Sequence, residues 1–453
     1  MGKLSFKNKF GYAIGDMANG LTFAMSAGFL LSFYVDVLGI TGAAAATLFL
    51  VARMWDAIND PMMGSFTDKM FKKRLKKKTS KKVDKFRPYL LMGSWPVVIM
   101  AILMFFSPDG LGSGQKLIWA YVTYIGWGMA YTFINIPYGS IAAVMTQEPS
   151  ERASLSVARG LGGMVGNILP RIIVPVFLTS FATDQQKGYL IAMAVMGLVA
   201  FVGYLVTYFT LEERVAVKES KNENVSLISA VKVLRKNRPF IAVSVASIAM
   251  LTGMLTNQAM SVFYFRENLD ALSAMGITAV IQMVPMLFLA PVLSKVVKRF
   301  GTKKVVSLSS VVSAVFLGIL MFLPDNLFTY VGFFFVGSLM MTVPNMLIWG
   351  MVSDTIDYNQ YLCGERSEGI IYGSYSFVRK TGQAIAGFIA GMGITIVGYT
   401  QGLEMQSAQT LFGIKFLTIG FPAAGMLIAF LAFRYIWNLT PEMKLKVDEA
   451  ISA

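Results

Sequence analysis

Asp56 and Asp60 stand in the run Leu48-Phe-Leu-Val-Ala-Arg53-Met-Trp55-Asp56-Ala-Ile-Asn59-Asp60-Pro61, within a segment otherwise apolar enough to cross a bilayer. An ionised side chain at the centre of a membrane helix costs roughly 2.5–3.5 kcal/mol on insertion scales, so two in one helix need a function or a partner. A spacing of four puts both carboxylates on one helix face with Asn59 beside them. Such a face presents oxygen ligands to a small cation, Na+ or H+. The plain structural alternative is an ion pair between Arg53 and Asp56, three residues apart. Pro61 removes the hydrogen bond to the carbonyl of Ala57, and Pro137 removes that to the carbonyl of Phe133. Each proline therefore leaves either a bare oxygen near a polar group or a simple packing kink.

A second set of polar residues suits a polyhydroxylated ligand. Asp16 and Asn19 share a face of the first apolar segment, with Phe23 a turn on. Tyr124, Gly128, Tyr131, Asn135 and Tyr138 repeat at helical spacing in the fourth, next to Thr132. Arg159, Arg171, Arg379, Lys380 and Lys415 are the remaining intramembrane cations considered, and such residues mark pathways by default. Arg171 and Lys415 lie near segment ends, where they can snorkel to the membrane surface. Carboxylates and amides bind vicinal hydroxyls, and aromatic rings stack on the apolar face of a sugar.

The elements that must hold these residues are membrane helices. The 453 residues are 55% hydrophobic and 14% charged, with mean hydropathy +0.60. Apolar segments of spanning length fall at 10–38, 43–67, 87–106, 116–145, 154–181, 189–211, 239–265, 272–294, 304–323, 327–353, 369–398 and 409–437. The net charge of +15 would suggest nucleic acid in a soluble protein. Here Lys and Arg crowd alternate connections, above all 68–88 and 212–238, whereas the opposite side holds Lys116, Lys187 and Arg266. That bias sets orientation, puts both termini in the cytoplasm, and leaves no reason to expect a nucleic-acid partner. The basic N-terminus, with Lys3, Lys7 and Lys9, leads into a first membrane helix rather than a signal peptide.

The polar run 212–238 divides residues 1–211 from 239–453, six segments each. The halves echo one another: Thr132-Phe-Ile-Asn135 against Thr342-Val-Pro-Asn345, and Arg159 against Arg379-Lys380. The expected fold is therefore an all-α polytopic membrane protein of twelve spans in two pseudo-symmetric six-helix bundles, with a substrate site between them. Histidine is absent and Cys363 is the only cysteine. There is no P-loop, no His/Cys metal cluster and no nucleophile elbow, so no catalytic residue, cofactor or ATP drive is expected. Nothing points to an obligate protein partner; the bilayer and a small molecule are the expected ones.

These residues resemble the glycoside–pentoside–hexuronide:cation symporters, a branch of the major facilitator superfamily, along nearly the whole chain. The second segment looks like the family's cation-site motif, and Tyr131-Thr132-Phe-Ile-Asn135-Ile-Pro137-Tyr138-Gly139 like its fourth-helix motif. Asp354-Thr-Ile-Asp357-Tyr358 with Gly364-Glu-Arg366-Ser-Glu-Gly369 looks like its loop signature. Ser376-Phe377-Val-Arg379-Lys380-Thr-Gly382-Gln383-Ala384, and Gly15-Asp16 followed by Phe23-Ala-Met25, look most like glucuronide permeases. The resemblance implies cation ligands at Asp56, Asn59, Asp60 and Thr132, and sugar contacts at Asp16, Asn135 and Arg159. It also implies a coupling role for Lys380 near the aspartates and a cytoplasmic charge lock of Asp354, Asp357 and Arg366. Where the melibiose permease has an aspartate and a tryptophan, this chain has Asn135 and Gly139, and Arg379 adds a positive charge. Less negative and more positive charge favours an anionic sugar. The expected activity is import of a hexuronide, or else a pentoside or neutral β-glycoside, across the cell membrane with H+ or Na+. An aspartate-rich prenyltransferase-like membrane enzyme and a sugar sensor are the rival classes.

Overall fold

The computed structural model describes residues 4–77, 84–214, 235–364 and 368–452, and every long element in it is a helix. In chain order these are α1 (Phe6–Leu38), α2 (Gly42–Lys77), α3 (Arg87–Met104), α4 (Ser113–Met145), α5 (Pro149–Ser180) and α6 (Gln185–Thr210). There follow α7 (Arg238–Asn268), α8 (Ala274–Phe300), α9 (Thr302–Phe322), α10 (Leu327–Cys363), α11 (Glu368–Ile396), α12 (Ala408–Ile436) and the short α13 (Pro441–Ser452). Among the described residues, nine are long and apolar enough to cross a membrane; α2, α8 and α11 are long helices outside that set. Two of those three, α2 and α11, carry Arg53, Asp56 and Asp60 and Arg379 and Lys380 respectively, which lower their hydropathy. α2 continues ten residues past its expected end, because Lys69–Lys77 is good helix-forming sequence that solvent can accept. The helix α13 was not anticipated from hydropathy.

The chain divides into two units, Met1–Ser220 with Leu272–Ala279, and Lys221–Ala271 with Val280–Ala453. In the first, α1 packs on α5 and α6, α3 on α4 and α6, and α2 on α4. In the second, α7 packs on α11 and α12, and α9 on α10 and α12. Leu293 of α8 joins Val343 of α10 in a small core. The pairings of the first helix with the fifth and sixth, and of the third with the fourth and sixth, recur six helices on. The first helix of each unit also ends in a five-residue π-turn, Tyr34–Leu38 in α1 and Tyr264–Asn268 in α7.

Small residues set the closest approach. A Cβ on Gly162 would strike the carbonyl of Ala13, and one on Gly166 the carbonyl of Met17. Without side chains there, α5 lies backbone-to-backbone on α1, which fixes the depth at which each helix offers its polar residues. The loop end of the first unit is tied by Glu213, which is 5% exposed. It accepts hydrogen bonds from the backbone N–H of Lys85, Phe86 and Arg87 at 2.8, 2.6 and 2.9 Å. A carboxylate there satisfies the orphan donors of α3 and complements its dipole.

Candidate functional site

Two adjoining polar sets form in the first unit. The cation set is built by α2 and α4. Arg53 Nη1 donates to Asp56 Oδ2 at 2.9 Å along α2, and Arg53 Nη2 donates to the Tyr124 hydroxyl at 3.3 Å from α4. The guanidinium also lies 5.7 Å from the centre of the Phe23 ring. One turn on, Asp60 Oδ1 accepts from the Thr132 hydroxyl at 3.0 Å. Gly128, a turn before Thr132 on α4, makes room for the first carboxylate, since a Cβ there would lie 3.1 Å from Asp56 Oδ1. Among the described residues, Asn59 Nδ2 is buried without a hydrogen-bond partner. The Arg53–Asp56 ion pair that spacing allowed is therefore present, and Asp60 meets Thr132 across α2 and α4.

The ligand set is built by α1, α4 and α5. Asp16 Oδ1 accepts from Arg159 Nε at 2.9 Å, a pair 143 residues apart in sequence. The Arg159 guanidinium lies over the Tyr138 ring at 5.5 Å, and Tyr138 stacks on Tyr12 at 5.0 Å. Tyr138 is fully buried and its hydroxyl donates to the carbonyl of Tyr12. It supports Arg159 from beneath rather than offering an open contact to a ligand. Asn19 is 3% exposed, and its Oδ1 accepts from the Tyr204 hydroxyl at 2.9 Å, so it too braces the helix packing. Asn135 is half-buried and makes no side-chain hydrogen bond among the described residues. Tyr131 joins the two sets: it is within electrostatic reach of Asp16, Arg53, Arg159 and Asp60, and it packs against Phe23 and Trp127. Spacing alone did not reveal the supporting roles of Tyr12 and Tyr204, whose contacts are long-range.

In the second unit, the Arg379 guanidinium lies 5.4 Å from the ring centre of Trp349, which meets Tyr375 edge-on. Lys380 follows it on α11, about 100° round the helix. Asp354, expected in a charge lock, pairs with Lys444 of α13 at 2.6 Å. Asp357 lies one turn on in α10, and Arg366 lies outside the described residues. Lys415 does not snorkel: it is 7% exposed and pairs with Asp325 at 3.0 Å. Asp325 is held in turn by Tyr264 at 2.9 Å and Asn268 at 3.1 Å.

Among the described residues, no group of three or more Asp, Glu, Cys or His comes together. The set on α2 and α4 instead offers two carboxylates with amide and hydroxyl groups, hard oxygen donors of the kind that small cations take.

Comparison with known proteins gives the family. The family model of MFS/sugar transport proteins matches residues 11–439. The chain is 33% identical to the Bacillus subtilis (strain 168) protein described as uncharacterized symporter YjmB, over 98% of this chain and 95% of that one. It is 32% identical to the glucuronide carrier protein homolog of Escherichia coli (strain K12), over 94% and 92%. In fold it is similar to a bacterial homologue of the human drug peptide transporters PepT1 and PepT2, with TM-score 0.66 and 12% identity over 94% and 97%. This multi-pass protein of the cell membrane thus belongs to the MFS/sugar transport family, among the glycoside–pentoside–hexuronide:cation symporters.

Proposed function

We propose that the protein imports an acidic glycoside, a β-glucuronide or other hexuronide, together with H+ or Na+ bound at Asp56 and Asp60, and releases the sugar chemically unchanged. The observation that carries this reading is the adjacency of the Asp60–Thr132 and Arg53–Asp56 contacts to the Asp16–Arg159 pair around Tyr131. Within the first unit, three carboxylates (Asp16, Asp56, Asp60) face two guanidiniums (Arg53, Arg159). One monovalent cation balances that set. An acidic sugar entering without the cation meets uncompensated negative charge in a region of low dielectric, where repulsion is strong. Cation binding therefore favours sugar binding, and by linkage sugar binding favours the cation by the same factor. Asn59 and Thr132 complete the cation's oxygen shell, and Asn135 supplies an amide to the sugar. Arg379 and Lys380 add the positive charge in α11 that suits an acidic substrate. The Lys/Arg bias of the connections supports a reading of twelve spans with both termini cytoplasmic.

The test is uptake of a labelled aryl β-glucuronide by membrane vesicles holding the protein, under an inward proton gradient and, in parallel, an inward Na+ gradient. Accumulation above equilibrium under one gradient, with intact glucuronide recovered, is expected. Asp60→Asn is expected to lose accumulation under both. Concentrative uptake by that variant at the unsubstituted rate would overturn the coupling assignment.

A further inference from the structure

We propose that Arg238, Lys303 and Arg434 form a binding site for the phosphate group of an anionic phospholipid, at the end of the second unit where α7 and α9 begin and α12 finishes. The last turn of α12, Ala432–Ile436, packs on both α7 and α9. Arg434 stands in that turn, Arg238 is the first residue of α7, and Lys303 is the second of α9. Both guanidiniums lie within electrostatic reach of the Lys303 ammonium and repel it. Lys303 is half-buried and held in place, its Nζ donating to the carbonyl of Trp437 at 2.8 Å. An ammonium has three N–H groups, so two remain to be used. Arg238 and Arg434 are exposed, and among the described residues neither side chain makes an ion pair or a hydrogen bond.

Electrostatics makes this an unfavourable place for cations unless an anion joins them. A helix N-terminus carries partial positive charge, so it favours acidic side chains and disfavours basic ones. Neither α7 nor α9 has an acidic residue in its first turn, and each has a cation there instead. Gly301 gives α9 no side-chain cap, which leaves its first N–H groups open. One turn deeper on the same side of α9, Ser307 is 7% exposed, and its hydroxyl has no partner among the described residues. Helical side chains lean toward the N-terminus, which turns that hydroxyl toward Lys303. Converging cations, uncapped amides and a spare hydroxyl are what a phosphate takes. The surroundings favour a lipid as its source. Tyr435, next to Arg434, is 69% exposed, and tyrosine gathers at the membrane–water interface. In the orientation proposed above, the site lies at the cytoplasmic surface, where basic pockets between membrane helices hold anionic headgroups. The plain alternative is that these cations only set orientation, which needs charge but no site. The site is independent of the glycoside reading.

The experiment counts phospholipid bound to the purified full-length protein in detergent by native mass spectrometry, in titrations with phosphatidylglycerol or phosphatidylcholine. Phosphatidylglycerol is expected to bind about tenfold more tightly than phosphatidylcholine, and Arg238→Gln/Arg434→Gln to lose that preference. Arg238→Lys/Arg434→Lys, which keeps the charge, should retain most of it. Lys69→Gln/Lys73→Gln removes two exposed cations from the end of α2 instead and should leave it unchanged. A preference that survives in Arg238→Gln/Arg434→Gln, or that falls as far in Lys69→Gln/Lys73→Gln, would overturn the site and leave the cations to set orientation. Displacement of phosphatidylglycerol by inorganic phosphate would overturn the lipid assignment in favour of a soluble phosphate.

Discussion

Arg53 and Arg159 solve the same problem differently. Both neutralise an aspartate inside an apolar bundle, but Arg53 reaches Asp56 and Tyr124 through its Nη groups, whereas Arg159 meets Asp16 through Nε. Arg53→Met should therefore leave Asp56 without its compensating charge. A loss of about 3 kcal/mol in stability is expected, with the Arg53→Met/Asp56→Asn double variant recovering much of it. Thermal unfolding of the purified variants checks this; equal melting temperatures for Arg53→Met and the unsubstituted protein would contradict the pairing. Tyr138→Leu removes the ring under Arg159, a contact worth about 0.5–1 kcal/mol. It should raise KM for the acidic sugar a few-fold with kcat nearly kept, whereas a purely structural defect would lower the amount of active protein and leave KM alone. At this scale, Asp56 and Asp60 were legible in the sequence because charge in an apolar run is conspicuous and a period of four fixes their common face. The Asp16–Arg159 partnership was not legible: the family resemblance implied each as a sugar contact, but nothing in local spacing joins residues 143 apart. Helical periodicity put Tyr138 and Asn19 on polar faces, but it could not tell a face turned to a ligand from one turned to another helix.

At the scale of elements, backbone contact between α1 and α5 sets the depth at which Asp16 meets Arg159. Gly166→Leu should force the two helices apart and prevent stable folding, because the obstruction is the Met17 backbone and cannot rotate away. Loss of the folded protein from detergent extracts, judged by size-exclusion chromatography, would show it; a well-folded variant would argue against the close approach. At the mouth of α3, Glu213→Ala should cost about 2 kcal/mol, as three backbone N–H groups lose a charged acceptor. Glu213→Gln, which keeps one acceptor oxygen, should cost less, a difference that melting temperatures resolve. Helix positions were readable because length and hydropathy are local properties. The Glu213 cap and the Lys415–Asp325 pair were not, because each depends on how a connection folds back onto a helix that lies far away in sequence.

At the scale of the whole molecule, the repeat ties the pieces together. Each unit uses the same pairings of its first, third, fourth, fifth and sixth helices. The polar specialisation is nevertheless uneven: the first unit holds carboxylates opposite guanidiniums, whereas α11 offers Arg379 on Trp349 with Lys380 beside it. The π-turns mark where the two units agree and where they differ. Such a turn holds one more residue than an α-helix needs, and it sits at the end of the first helix in both units, Tyr34–Leu38 and Tyr264–Asn268. The π-turns of α12, Phe416–Gly420 and Ala432–Ile436, have no counterpart among the described residues of α6. A wider turn at the end of the first helix is thus common to both units, whereas α12 carries two widenings that the described residues of α6 lack.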